Sequence, residues 1–301
     1  MDIIGKRKIW YLISAILIIP GVLALIFWGL NFGLDFKGGT SLETRFIENK
    51  SVGQVQDILK DLNLSNLTVV STSQNGIIIK TGTIDQAKHN QISESLNKIG
   101  ENKEQSYESV GPTVSGDIRN KAIMAMIFAS LGIILYIAFA FRHVPKPASS
   151  WKFGLCAIAA LIHDLLFVIG VFAILGHFFH YEIDSLFITA LLTIMGFSVH
   201  DTIVVFDRIR ENLRKHSSLS FSENVNNSIL QTLNRSLNTS LTVLIVLASL
   251  YFLGGETLKH FILALLIGIT IGTYSSIFNA SQLLVSWQGW SVNRLKKKNA
   301  S

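Results

Sequence analysis

Charge is what this chain has least of. Asp, Glu, Lys and Arg make up 15% of its 301 residues, where a soluble domain carries about 25%. Another 49% are hydrophobic, gathered in long blocks rather than spread through short periodic segments. That distribution excludes a water-soluble enzyme. Cysteine is nearly absent too: the single Cys156 lies inside an apolar run, which excludes an internal disulfide and reads as a small buried side chain. Metal-ligand spacing is missing, since His89 stands alone and the carboxylates have no ligand pattern. In Gly33-Leu34-Asp35-Phe36-Lys37-Gly38-Gly39-Thr40 the lysine precedes the glycines, the wrong order for a phosphate-binding loop. No cofactor is expected. The net charge of +6 sits at the ends of the apolar blocks, where membrane topology explains it without a nucleic-acid partner.

What is there is a set of six apolar runs, at 9–30, 122–141, 153–175, 185–206, 237–253 and 261–287. Each approaches or exceeds the ~20 residues that span ~30 Å of hydrocarbon at ~1.5 Å per residue. The first follows Lys6, Arg7 and Lys8 like a signal peptide. It is longer than a signal core of about 7–15 residues and ends in Phe27-Trp28-Gly29-Leu30, with no small-x-small cleavage site. It reads as a retained helix, kinked or loosened at Pro20-Gly21. The fifth run is the shortest and borrows a turn from 228–236, which brings Arg235 to the membrane boundary. Lys6 to Lys8, then Arg142, Lys146 and Lys152, then Arg208, Arg210, Arg214 and Lys215, then Arg294 and Lys296 to Lys298 all fall on one face. The opposite short loops are poor in Lys and Arg, so both termini are expected in the cytoplasm. Trp10, Trp28, Trp151, Trp287 and Trp290 fall near proposed boundaries, as an aromatic belt requires.

The expected division is 1–30 for the N-terminus and first helix, 31–120 for an extracytoplasmic domain, 121–290 for a five-helix bundle and 291–301 for a basic tail. Within 31–120 the composition is that of a water-soluble α+β domain. A strand at 41–46, a helix at 52–62 capped by Ser51, β-rich runs at 66–72 and 77–81, a helix at 85–99 and a strand at 105–110 give the order βαββαβ. That is the ferredoxin-like, or split βαβ, arrangement. Ser73-Gln74-Asn75-Gly76 reads as a hairpin connection with Asn-Gly as a type I′ turn. Gly38 and Gly39 permit positive φ and a close backbone approach, which suits a tight re-entry turn or hinge from membrane to sheet.

The most informative residues are charges in the apolar runs, where each costs roughly 2.5–3.5 kcal/mol on the translocon scale. Such groups face a bundle interior, a water path or a partner. His163 and Asp164 lie midway along the third run. Adjacent helical positions point about 100° apart, so the two are expected to serve different neighbours along a polar seam that includes Thr202. His200 and Asp201 lie toward the end of the fourth run; Asp201 is placed ~9 Å along the helix from Asp207, beyond reach of the interface. Arg235 enters the fifth run from the same side. For Asp201 and Arg235 two readings stay open: a static salt bridge bracing the bundle, and a proton-sensitive pair.

The chain resembles the SecD/SecF family of bacterial protein-export membrane proteins, within the resistance–nodulation–division transporter group. The resemblance rests on Gly33 to Thr40, on Val110-Gly111-Pro112-Thr113-Val114, on His163-Asp164, on Gly196 to Asn212, and on Arg235-Ser236-Leu237-Asn238-Thr239-Ser240. It implies a multi-pass protein of the cell inner membrane with a periplasmic domain. It further implies a complex with SecD, SecYEG and YajC that uses proton flow to help unfolded preproteins cross. In that resemblance Asp201 and Arg235 match groups implicated in proton transfer. Phe197 and His200 depart from the family's Tyr and Asn; His200 keeps a hydrogen-bonding group and adds one that titrates near neutrality. Two alternatives remain: a purely structural stabiliser of the export complex, and half of a proton-coupled small-molecule transporter. An intramembrane enzyme is disfavoured, because no serine or cysteine nucleophile is fixed near His163-Asp164 by sequence.

Overall fold

In a computed structural model, residues 2–300 are described apart from 73–74, 143, 146–148, 217 and 256–257, with the backbone alone for 293 and 295–300. Ser73 and Gln74 of the expected turn, Lys146 among the topology-setting charges, and the side chains of Lys296 to Lys298 lie outside the described residues. The chain forms two compact units, Met1–Asn31 with Ala125–Ser301, and Phe32–Met124.

Six helices among the described residues are long and apolar enough to cross a membrane, and they build the first unit, except that the start of one, residues 112–124, belongs to the second. They are α1 (Arg7–Phe27), α5 (Pro112–Ala140), α6 (Ser150–Phe179), α7 (Ser185–Lys215), α8 (Phe221–Leu253) and the continuous stretch Lys259–Val292. That stretch comprises α9 (Lys259–Ser275), a π turn at Ser276–Ala280 and the start of α10 (Ser281–Ala300). α1 runs unbroken through Pro20, so the loosening expected there does not interrupt it. α5 starts at Pro112 instead of 122, with proline at the first helical position, where its missing N–H costs nothing. α8 starts at Phe221, well before 237, behind a capping box in which Ser220 and Glu223 satisfy each other's backbone N–H groups. Its first turns bury Asn224, Ser228 and Thr232, and hydropathy cannot reveal helix made of such residues.

α1 and α6 lie side by side in a parallel register with a period of seven. Trp28 stacks on His177 with ring centroids 4.2 Å apart. One heptad earlier Gly21 faces Gly170, so close that a Cβ built on Gly170 would lie 2.6 Å from the Gly21 Cα. One heptad earlier again, Ser14 and His163 share a partner, Asn279. A seven-residue repeat keeps one seam of each helix facing the other, and glycine lets the backbones close on it. The aromatic core of the bundle includes Phe141, Phe153 and Phe206, whose centroids lie 5.1–5.9 Å apart.

The second unit opens with the short helix α2 (Leu34–Lys37), followed by β1 (Gly39–Phe46), α3 (Val52–Lys60), β2 (Thr68–Ser71), β3 (Gly76–Thr81), α4 (Gln86–Ile99) and β4 (Asn102–Val110). The antiparallel sheet has the order β2-β3-β1-β4, so β3 lies between β1 and β2, the split βαβ arrangement. Period two sends Leu42 and Phe46 of β1 and Ile77 and Ile79 of β3 to one face, where Val55 and Leu59 of α3 and Ile92 and Leu96 of α4 cover them. Ser51 caps α3 as expected, in a full capping box with Gln54. The hairpin departs from the type I′ expectation. Thr72 N–H donates to the Gly76 carbonyl, and Gly76 already pairs with Arg45, so positive φ falls on Asn75 and not on Gly76. β4 begins at Asn102 rather than at 105, with a register shift opposite Glu43 and Thr44.

Candidate functional site: two buried carboxyls in the helix bundle

Two aspartates lie inside the bundle, and their surroundings differ. Asp164 is fully buried. Its Oδ1 accepts from His163 Nδ1 at 2.9 Å, and its Oδ2 accepts from Ser198 Oγ at 2.6 Å and Ser275 Oγ at 2.7 Å. The expectation that His163 and Asp164 serve separate neighbours is therefore corrected. Their Cβ atoms diverge, but the longer imidazole curls back over the carboxyl. Hydrogen bonds to a charged group contribute about 1.5–3 kcal/mol each, and three of them offset the several kcal/mol of taking a carboxylate out of water. Gly272 makes room for the arrangement: a Cβ there would press on Ser198 at 3.2 Å.

Behind the imidazole a chain of side chains runs across to α1. Asn279 Nδ2 donates to His163 Nε2 at 2.8 Å, and Ser14 Oγ donates to Asn279 Oδ1 at 2.8 Å. The Tyr274 hydroxyl lies 3.2 Å from Ser14 Oγ and donates to the Trp10 carbonyl at 3.1 Å. Asn279 sits on the π turn, where the wider helix swings a side chain out of the α register. Both serines on Asp164 bind the carboxylate and neither bonds the imidazole, so the group lacks the nucleophile–base contact of a hydrolytic triad.

Asp201, one face round α7, is 3% exposed. Its Oδ2 has no hydrogen-bond partner among the described residues. Thr273 and Ser240 bring hydroxyls near it, and His200 and Arg235 are the charges within electrostatic reach. The two hydroxyl oxygens lie 2.6 Å apart, and the Ser236 and Ile269 carbonyls of their own helices are also within reach, so one hydroxyl donates to the other and the second to its own helix. Arg235 is exposed on α8 and makes no ion pair with Asp201 within 4.0 Å. His200 is also exposed, pointing away from the buried face that carries Asp201 and Thr202. Thr202 Oγ1 lies 2.9 Å from Ser276 Oγ, which also donates to the Gly272 carbonyl at 2.8 Å. The static salt bridge left open by the sequence is absent from this arrangement.

The sequence-based reading did not single out Ser14, Ser198, Ser240, Thr273, Ser275 or Asn279. The signal was present for three of them in Gly272-Thr273-Tyr274-Ser275-Ser276, with Asn279 three residues on, a run of small and polar residues inside an apolar span. Gly38 and Gly39 belong to the other unit. They take φ of +72° and +132°, and a Cβ on Gly39 would lie 2.7 Å from the Thr81 carbonyl oxygen, so both glycines are needed where the chain enters β1.

Residues 91–290 match the model of the protein-export membrane protein SecD/SecF C-terminal region, and residues 24–46 match the SecD/SecF GG motif. The chain is 48% identical to the protein translocase subunit SecF of Thermobaculum terrenum, over 99% of this chain and 97% of that one. It is 38% identical to SecF of Anaerolinea thermophila, over 100% and 98%. Among solved structures it superposes on the crystal structure of SecDF, a translocon-associated membrane protein from Thermus thermophilus. The TM-score is 0.84 at 32% identity, covering 96% of this chain and 39% of that longer one. A six-span bundle, a split βαβ unit and these matches along the full length place the chain in the SecD/SecF family of protein-export membrane proteins.

Proposed function

We propose that the chain is a SecF-type translocase subunit that works with a SecD half, uses proton flow across the cell inner membrane, and assists preproteins through SecYEG, with YajC as an accessory. The observation that carries the reading is the contrast between the two carboxyls. Asp164 has its charge met by three donors, whereas Asp201 is buried with an oxygen unpartnered and an exposed arginine within electrostatic reach. A group in that position gains from taking up a proton and gains from the approach of Arg235 when it loses one, so its two states favour different positions of α8. A charge crossing the full potential is worth ~2.3 kcal/mol per 100 mV, about fifty-fold in an equilibrium. His200, the next residue on α7, is exposed and faces away from the buried side that carries Asp201, so its part in coupling acts through charge rather than contact. The basic boundaries favour cytoplasmic termini and a periplasmic 32–124 unit, and Gly38 and Gly39 suit its hinge. The match to 39% of a SecDF chain supports a partner for the remainder.

The test reconstitutes the chain with its SecD partner and channel and measures proton-gradient-dependent preprotein translocation for Asp201→Asn and Arg235→Met. Assembly is followed by co-purification. Loss of the gradient dependence in an intact complex is the expected result; full dependence in both variants would leave only a structural, stabilising role. Replacing His200 by Asn should alter the pH profile of translocation, and an unchanged profile removes it from the coupling group.

A further inference from the structure

The chain of bonds behind Asp164 has a property that none of its members has alone. His163 Nδ1 must donate to Asp164, so the neutral imidazole presents Nε2 as an acceptor, and Asn279 meets it with an amide N–H. Asn279 Oδ1 then accepts from Ser14, while Tyr274 donates to the Trp10 carbonyl. With the imidazole neutral and the carboxylate ionised, the cluster carries one net negative charge, held by its three donors. A proton added at Nε2 makes the pair neutral overall, and Nε2 then becomes a donor. Asn279 can answer by turning its amide half a turn, because O and NH₂ occupy nearly the same volume. Nε2–H then donates to Asn279 Oδ1, Asn279 Nδ2 donates to Ser14 Oγ, and the Ser14 hydroxyl turns to Tyr274. Tyr274 keeps its bond to Trp10. Each link of the chain keeps one donor and one acceptor in that second arrangement, and only the amide and one hydroxyl have turned.

We propose that His163 is a proton-binding site whose occupancy reverses the Asn279 amide and the Ser14 hydroxyl, so that the state of the α6 dyad is read by α1. The inference rests on the proton-coupled reading of the bundle and adds a site distinct from Asp201. Access favours the histidine, which keeps 12% of its side chain exposed where Asp164 keeps none. The titratable groups facing His163 are Asp164 on its own helix and Tyr274 on α9. α1 contributes Ser14, α7 contributes Ser198, and the π turn contributes Asn279, all uncharged. Asp201 faces α8 and α9 and shares no hydrogen-bond partner with the imidazole. The Ser14–Asn279–His163 link lies one heptad from the Gly21–Gly170 crossing, on the same seam between α1 and α6.

The test is solid-state NMR on the uniformly ¹³C,¹⁵N-labelled full chain in lipid vesicles, with His163 assigned through its sequential link to Asp164. Between about pH 8 and pH 5, the range in which histidine titrates, His163 Nε2 should pass from unprotonated to protonated. The Asn279 side-chain amide should shift with the same midpoint. An imidazole that keeps one protonation state throughout overturns the proposal, and so does one that titrates while the Asn279 amide stays fixed. This readout needs no translocation, so it stands or falls apart from the Asp201 result. In the complex, Asn279→Ala and Ser14→Ala should change the pH profile of translocation while assembly persists. An unchanged profile in both refutes the relay and leaves the Asp201 reading intact.

Discussion

Gly170→Ala is the sharpest perturbation of the bundle that the structure offers. The added Cβ would lie 2.6 Å from the Gly21 Cα and 2.8 Å from its carbonyl carbon, both backbone atoms that cannot rotate away. Ordinary contact begins at 3.4 Å, so α1 and α6 must separate by roughly 0.8 Å or shear past each other. Overpacking of that kind costs about 1–3 kcal/mol, set against at most about 1 kcal/mol gained from alanine's helix propensity. Gly132 on α5 supplies the control, since nothing lies within 4 Å of its Cβ position and only the propensity gain applies there. The two variants should therefore differ by about 1–3 kcal/mol in equilibrium unfolding measured in mixed micelles. Gly21→Ala should behave like Gly170→Ala, its Cβ meeting the Gly170 Cα at 2.9 Å. The double variant should cost less than the sum, because helices already moved apart for one methyl accommodate the second. Equal stability of Gly170→Ala and Gly132→Ala would refute the crossing as a packed contact. Strict additivity in the double variant would refute the shared displacement.

Gly39→Ala should loosen the Phe32–Met124 unit, because φ of +132° and a Cβ 2.7 Å from the Thr81 oxygen leave an L side chain no good position. Strain of this kind costs about 1–3 kcal/mol, and hydrogen exchange on the full chain should show it as faster exchange at the β1–β3 pairs; unchanged protection refutes it. Phe206→Ala empties a fully buried site between Phe141 and Phe153 and should cost about 3–5 kcal/mol in thermal unfolding. A loss below 1 kcal/mol, as for a surface change, would place Phe206 outside the core.

The spans and their side chains of greatest consequence were legible because lipid imposes a strong rule: a long apolar run must cross, and a charge within it must be met by something. Asp164 and Asp201 stood out for that reason, and Ser51 announced the start of α3. The order βαββαβ was readable from alternating periods of 2 and 3.6. Polar helix was not readable in the same way. Phe221 to Ser236 is helix in which Ser228 accepts from Asn212 of α7, Asn224 donates to the His216 carbonyl ahead of the helix and Thr232 donates to the Ser228 carbonyl one turn back. Hydropathy counts those residues as loop.

The sequence by itself determined that there are crossings, how many, and which carboxyls lie inside them, since these depend on composition and local period. Only the tertiary structure decided what each carboxyl meets. His163 folds onto Asp164, a π turn carries Asn279 to the imidazole, and Arg235 stays clear of Asp201. Those outcomes are set by helices distant in the chain, through a heptad seam and two facing glycines, where hydrogen bonds depend on tenths of an ångström that no local pattern encodes.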